Sequence, residues 1–293
     1  MLITPFSSLR LADYGGMATA PLPPSHRPLG LRGNYAAADD RYLVDPAQVG
    51  HTATDRAVWR RLFVRQAAAV RGAAALEFLA GLERLKFAAD TLPCLERTSD
   101  RLRRLTGWTL VGVPGLLPEA VFFGHLAERR FPVTVWMRSP DECDYLAEPD
   151  FFHDLFGHVP LLTDQTFAAF VHAFGQRGVE LNSRDSGGLK VLARLYWYTV
   201  EFGLMRSEAG LRAFGAGILS SSGETAYALA SARPVRRAFE LARVLRTEYL
   251  IDEYQRGYFV LRDFDQLFDA VLDDGFIGHC AVAARLPAYR PGD

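Results

Sequence analysis

The stretch EPDFFHDLFGH, Glu148 to His158, leaves this chain few ways to fold. It sets two histidines and three carboxylates among phenylalanine, leucine, proline and glycine. Isolated charges are rarely fully buried, and burying one without a partner is costly. The phenylalanines demand a core and the polar groups demand compensation. A cation is the first candidate to supply it.

His153 and His158 are five residues apart. On an ideal α-helix five residues turn through about 500°, which leaves the two side chains roughly 140° apart. A straight helix does not bring them to one point. Gly157 is permissive, and Pro160 disfavours helical geometry at Val159. The spacing therefore predicts a helix that breaks here and turns His158 back toward His153. A third ligand is offered by LARLYWYTVEFGLM, where Leu195, Tyr196, Trp197, Val200, Phe202 and Leu204 surround Glu201 nearly all the way round a helix. Two histidines and one carboxylate on one face of an iron leave open positions and suit non-haem Fe(II) oxygenases. Each residue has an ordinary alternative. A histidine among phenylalanines is often a core residue with one hydrogen bond, and Glu201 could pair with Arg194 or Arg206. The combination favours a metal, because three separate burials would each need a separate cause. Zinc suits the same ligands. A zinc peptidase, however, carries H-E-x-x-H; here the string is H-D-L-F-G-H, one residue longer, with Asp154 where the base would sit. That weighs against a metallohydrolase and keeps it as the alternative.

At 293 residues, 49% hydrophobic and with a net charge of −1, the chain supports one sizeable core. It shows no basic stripe of the kind that nucleic acid or an anionic membrane would need. Cys94, Cys143 and Cys280 match no metal spacing and are odd in number, which fits a reducing cytoplasm. The start lacks a secretory layout, and no apolar run is long enough to span a bilayer. Residues 1–45, rich in proline, glycine and alanine, read as an irregular arm, with Met17 as an alternative start. Residues 46–293 read as one mostly helical domain with a few short strands. Helical patterns begin at Thr54 or Asp55 and at AAALEFLAGLERL, and a third is capped by Ser99 or Asp100. Further helices are predicted in PEAVFFGHLAERRF and over 150–158, 164–177, 187–206, 209–218, 234–250 and 264–274. Strands are predicted at WTLVGV, over Pro132 to Arg138, and at YFVLRDF. Little structure is expected after Asp274.

EPDFFHDLFGHVPLLTD, ARLYWYTVEFGLM and GAGILSSSGE together resemble the pterin-dependent aromatic amino acid hydroxylases. LTGWTLVGVPGLLPEAVFFGHLAERRFPVT extends the resemblance, which covers about residues 34 to 275. It implies a single catalytic domain of that type, using Fe(II), a tetrahydropterin and dioxygen, and it is closest to bacterial members that act on L-phenylalanine. One oxygen atom would go to the ring and the other to the pterin. The resemblance carries the iron ligands onto His153, His158 and Glu201, with Tyr196 beside them. It carries the pterin site onto Phe122, Leu117, Ala193 and Asp154. For the substrate it implies Arg138 as the carboxylate clamp, suited by its bidentate guanidinium, with Asp150 orienting it. Trp197 and Phe202 would form the aromatic slot, closed by Gly217, Ser220 and Ser221, and Ser220 would bond a histidine ligand or the substrate. An apolar Val260 favours phenylalanine, where tyrosine-specific members tend to be acidic. Leu146 and Ala147 depart from the Thr-Pro of animal members. A monomer is expected.

Overall fold

The computed structural model describes residues 31–293 apart from Tyr145, Ala147, Asp185, Ser186 and Asp252. Met17 and Ala147 therefore lie outside the described residues. Residues 31–45 run along the body of the domain: Leu31, Tyr35 and Val44 are buried, and the Val44 N–H donates to the Gly112 carbonyl at 2.9 Å.

Three helices come first: α1 (Ala53–Val70), α2 (Leu76–Leu85) and α3 (Leu95–Leu105). Thr52 caps α1 in a reciprocal capping box with Asp55. Val58, Trp59, Leu62, Gln66 and Val70 form its buried stripe. The helix α3 starts four residues before the expected cap, because Ser99 has other work. Its hydroxyl accepts the Leu110 N–H at 2.8 Å and ties α3 to the next strand. A parallel pair follows, β1 (Thr109–Val113) and β2 (Arg130–Thr134), joined by α4 (Glu119–Ala127). The strand β2 is shorter than predicted and ends before Arg138.

The long helix α5 (Gln165–Ser183) is capped by Asp164 and crosses α4 closely. A Cβ on Gly175 would lie 2.3 Å from the Ala127 nitrogen, and one on Gly178 2.4 Å from Phe123 Cγ. Then come α6 (Gly188–Tyr196), the hairpin β3 (Leu204–Ser207) and β4 (Gly210–Ala213), α7 (Ala216–Leu219), α8 (Ser222–Ala230), β5 (Val235–Ala238), α9 (Leu241–Val244), β6 (Gly257–Leu261), α10 (Phe264–Leu272) and α11 (Phe276–Arg285). The second sheet has the order β4-β3-β6-β5, with β6 parallel to both neighbours.

Three expected helices are corrected. The pattern over 187–206 stops at Glu201, because Gly203 turns the chain and Leu204 enters β3. Residues 209–218 form β4 and the single turn α7, with Gly210 at φ +102° making the hairpin turn. Residues 234–250 are an edge strand and one helical turn rather than a long amphipathic helix. There β5 pairs with β6, and the Arg236 guanidinium turns back to the Ala228 and Ser231 carbonyls at 2.7 Å, closing the end of α8. Tertiary pairing overrides a helical periodicity in all three cases. A helix also follows Asp274, against expectation: α11 buries Phe276, Cys280 and Ala283.

Candidate active site

Two short segments depart from α geometry. His153–His158 and Trp197–Glu201 are π-helices, here π1 and π2. The Val159 N–H reaches back five residues to the Asp154 carbonyl at 3.3 Å, and the Phe202 N–H reaches the Trp197 carbonyl at 2.8 Å. Bonding at i→i+5 widens the turn, so residues five apart come round nearly to the same face. This corrects the predicted chain break: Val159 and Pro160 both keep helical dihedrals, so the winding changes rather than stops. Gly157 permits a close approach of α7, since a Cβ there would lie 3.0 Å from the Ala216 carbonyl oxygen.

As a result the Nε2 atoms of His153 and His158 lie 3.2 Å apart, with their rings nearly perpendicular at 88°. Glu201, at the end of π2, places its carboxylate 3.1 Å from His158 Nε2 and 3.5 Å from His153 Nε2. All three ligand atoms lie within 4.8 Å of one another. Donors on adjacent positions of one metal, at bonds of about 2.1 Å, sit about 3.0 Å apart, so this set fits a single ion bound on one face. Arg194 pairs elsewhere, donating to the Leu245 carbonyl at 3.1 Å.

The backbone was shaped to bring Glu201 here. A Cβ on Gly215 would lie 2.3 Å from the Glu201 carbonyl oxygen, and one on Gly217 2.7 Å from Phe202 Cζ. Ser220, at the end of α7, has its hydroxyl 2.8 Å from His153 Nδ1, which leaves Nε2 to face the carboxylate. Such outer bonds set the tautomer and ring orientation of a metal ligand. Ser221 caps α8 and accepts the Glu224 N–H at 3.2 Å.

Burial holds the His153 imidazole down at about 4, neutral as a metal ligand must be. Burial also opposes charge on His158 and Glu201, but each outweighs it for the other: His158 is raised and Glu201 lowered. Asp154 is buried and pushed up to about 7 by that burial. Its Oδ2 accepts the Thr134 N–H at 2.7 Å, tying π1 to β2. That bond engages the carboxylate which the zinc-peptidase pattern would need as a base.

Arg138 lies past the end of β2 and is 7% exposed. Asp150, fully buried, takes its Nε at 2.8 Å, its Nη2 at 2.7 Å and its backbone N–H at 3.0 Å. Burial alone would raise the Asp150 carboxyl, and the guanidinium instead holds it low. Asp150 also accepts the His153 N–H at 2.9 Å, so clamp and ligand share one support.

Aromatic rings line two sides. Tyr196 stacks near His158 at 6.3 Å and meets Phe122 edge-on at 5.2 Å. Phe122, Leu117 and Ala193 are half-buried. Trp197 packs on Phe202 at 4.8 Å. Two neighbours of Trp197 carry no signal in the sequence: Tyr249 stacks on it at 4.4 Å, and Gln255 bonds its indole N–H at 3.1 Å. Tyr249 falls in the stretch misread as a helix, and Gln255 lies in the loop beyond it.

The profile of the family described as "Biopterin-dependent aromatic amino acid hydroxylase" matches residues 36–273. A phenylalanine-4-hydroxylase of Ralstonia nicotianae is 52% identical over 243 residues, which is 83% of this chain and 77% of that one. The phenylalanine-4-hydroxylase of Chromobacterium violaceum is 52% identical over 237 residues, 81% of this chain and 79% of the other. A crystal structure of that enzyme with bound oxidised Fe(III) matches at a TM-score of 0.83 and 48% identity, covering 86% of this chain and 91% of its own. Another, with iron and phenylalanine bound, matches at 0.82 and 46% identity, covering 88% and 93%.

Proposed function

The chain belongs to the biopterin-dependent aromatic amino acid hydroxylase family, and from that premise we propose that it is a phenylalanine 4-monooxygenase. It would convert L-phenylalanine to L-tyrosine with dioxygen and a tetrahydropterin at a mononuclear iron. The convergence of His153, His158 and Glu201 on one point carries the reading. The hydrolase alternative finds no support in the relatives.

The iron, bound by these three groups, would supply oxygen activation at its open positions. The chain's own part is to bind, orient and exclude. Ser220 keeps His153 in the tautomer that offers Nε2. Asp150 holds Arg138 through Nε and Nη2, and the Nη1 edge remains on offer to the substrate carboxylate. Trp197 and Phe202 supply the apolar slot for the ring, with Gly217 giving it room. Phe122 would stack on the pterin, flanked by Leu117 and Ala193, and Asp154 would sit at its polar edge. Burial and the nearby Glu201 hold the Tyr196 phenol well above its ordinary range, so it stays protonated beside the metal.

Residues 46–293 would form the catalytic domain, with residues 31–45 packed along it rather than standing off as an arm. No helix among the described residues is long and apolar enough to cross a membrane. Cys94, Cys143 and Cys280 are free, in keeping with a reducing cytoplasm as the proposed location; a monomer is the proposed working form.

Purified protein loaded with Fe(II) without oxygen, then given tetrahydropterin, L-phenylalanine and air, should yield tyrosine. Glu201→Ala should lose both bound iron and product while keeping its circular dichroism. Full turnover with normal iron content in that variant would overturn the assignment.

A further inference from the structure

Gln255 sits in the loop between α9 and β6, yet it is only 1% exposed. Buried polar side chains persist where their hydrogen bonds are met, and Gln255 uses both ends of its amide. Its Oε1 accepts the Trp197 indole N–H at 3.1 Å, and its Nε2 donates to the Leu250 carbonyl at 2.6 Å. The indole only donates and the carbonyl only accepts, so the amide has one workable orientation. The Gln255 backbone N–H donates to Glu224 Oε1 at 3.4 Å, and the Tyr258 hydroxyl donates to the same oxygen. Glu224 belongs to α8, the helix directly after the α7 turn that carries Gly217 and ends beside Ser220.

The contacts on Trp197 divide the work. Stacking on Tyr249, with planes 17° apart, fixes the tilt of the indole but not its rotation within its own plane. Ring stacking tolerates offset and sliding. The directed bond at the indole edge removes that remaining freedom.

We propose that Gln255 is a positioning residue for substrate selection: it fixes the in-plane orientation of Trp197, and the Glu224–Tyr258 pair holds Gln255 in place to do so. This rests on the reading of Trp197 as a wall of the phenylalanine slot. With the bond removed, the indole turns in its plane, the slot loses its fit to a single six-membered ring, and a larger bicyclic ring competes better.

The test compares kcat/KM for L-phenylalanine and L-tryptophan in Gln255→Met, Trp197→Phe and the double variant. Methionine keeps the length of glutamine without its hydrogen bonds. Trp197→Phe removes the same bond from the other end but also alters the slot wall and its stack on Tyr249, so it tests the slot. If Gln255→Met does not fold, Tyr258→Phe, which takes away part of the support of Gln255, serves in its place and should shift the ratio in the same direction. The expected result is a fall of about tenfold in the phenylalanine-to-tryptophan ratio, the scale of one neutral hydrogen bond. In Gln255→Met it should arise mainly in KM, with kcat for phenylalanine within about twofold, as expected for lost binding rather than lost chemistry. The double variant should be no worse than the worse single one, as for two ends of one interaction. A ratio unchanged in Gln255→Met but shifted in Trp197→Phe overturns this inference alone, as does strict additivity. A ratio and KM unchanged in Trp197→Phe overturn the slot assignment along with it.

Discussion

Ser220 and Asp150 support the candidate site without belonging to the metal set. Ser220 meets His153 at Nδ1, and Asp150 meets both Arg138 and the His153 backbone. Ser220→Ala should therefore weaken Fe(II) binding by about 10- to 100-fold, the usual cost of losing a group that orients a ligand. Equilibrium dialysis against Fe(II) checks this, and unchanged affinity would make the contact incidental. Arg138→Ala should raise KM for phenylalanine with a smaller effect on kcat, since it removes a binding contact. Asp150→Asn leaves a buried guanidinium without its counter-charge and should cost about 3–5 kcal/mol of stability, read by denaturant unfolding. These residues were legible to different degrees. His153, His158 and Glu201 follow from charge set among apolar side chains. Arg138, Phe122 and Ser220 stand out only through the family resemblance, because an arginine, a phenylalanine or a serine in isolation has too many ordinary uses. Tyr249 and Gln255 carry no local signal, since what matters is where the fold brings them.

Among the elements, the two π-helices do most for the site. The sequence shows that a straight α-helix over 153–158 is the wrong geometry, but not that wider winding is the remedy. A missing register leaves no compositional trace, and Pro160 points to a break that does not occur. The misread segments at 209–218 and 234–250 share one cause. Their periodicity is helical, but their hydrogen bonds go to strand partners instead: the adjacent hairpin strand β3 for β4, and the more distant β6 for β5. Packing between α4 and α5 also relies on absent side chains. Phe122 lies on α4, so the position of that helix bears on the proposed pterin face. Gly175→Ala would force a Cβ to within 2.3 Å of the α4 backbone. It should cost about 1–3 kcal/mol of stability through overpacking, and a thermal midpoint equal to that of the parent would show that the helices part without penalty.

At the scale of the whole molecule, stability should depend on pH through Glu224. Burial raises its carboxyl from 4.5 to about 7 in the folded protein. Folding therefore takes up a proton between those values, and the stability this gives is complete below the ordinary carboxylate range and lost as pH rises through about 7. Glu224→Gln keeps the acceptor for Tyr258 and Gln255 but carries no charge. Denaturant unfolding across pH 5 to 8 should show the parent losing about 1–3 kcal/mol relative to the variant. Parallel curves would contradict the buried, proton-holding state. The broad architecture, one mostly helical domain with short strands, was readable from composition and periodicity. The order β4-β3-β6-β5 was not, because parallel pairing links segments that share no local pattern. The function asked of this fold is the transfer of one oxygen atom from dioxygen to a bound aromatic ring. The most direct measurement is mass spectrometry of tyrosine formed under ¹⁸O₂ in ordinary water by the Fe(II)-loaded protein with tetrahydropterin. The new hydroxyl should carry ¹⁸O, at no more than one tyrosine per pterin oxidised; unlabelled tyrosine, or none, would contradict a metal centre that activates dioxygen beside the phenylalanine slot.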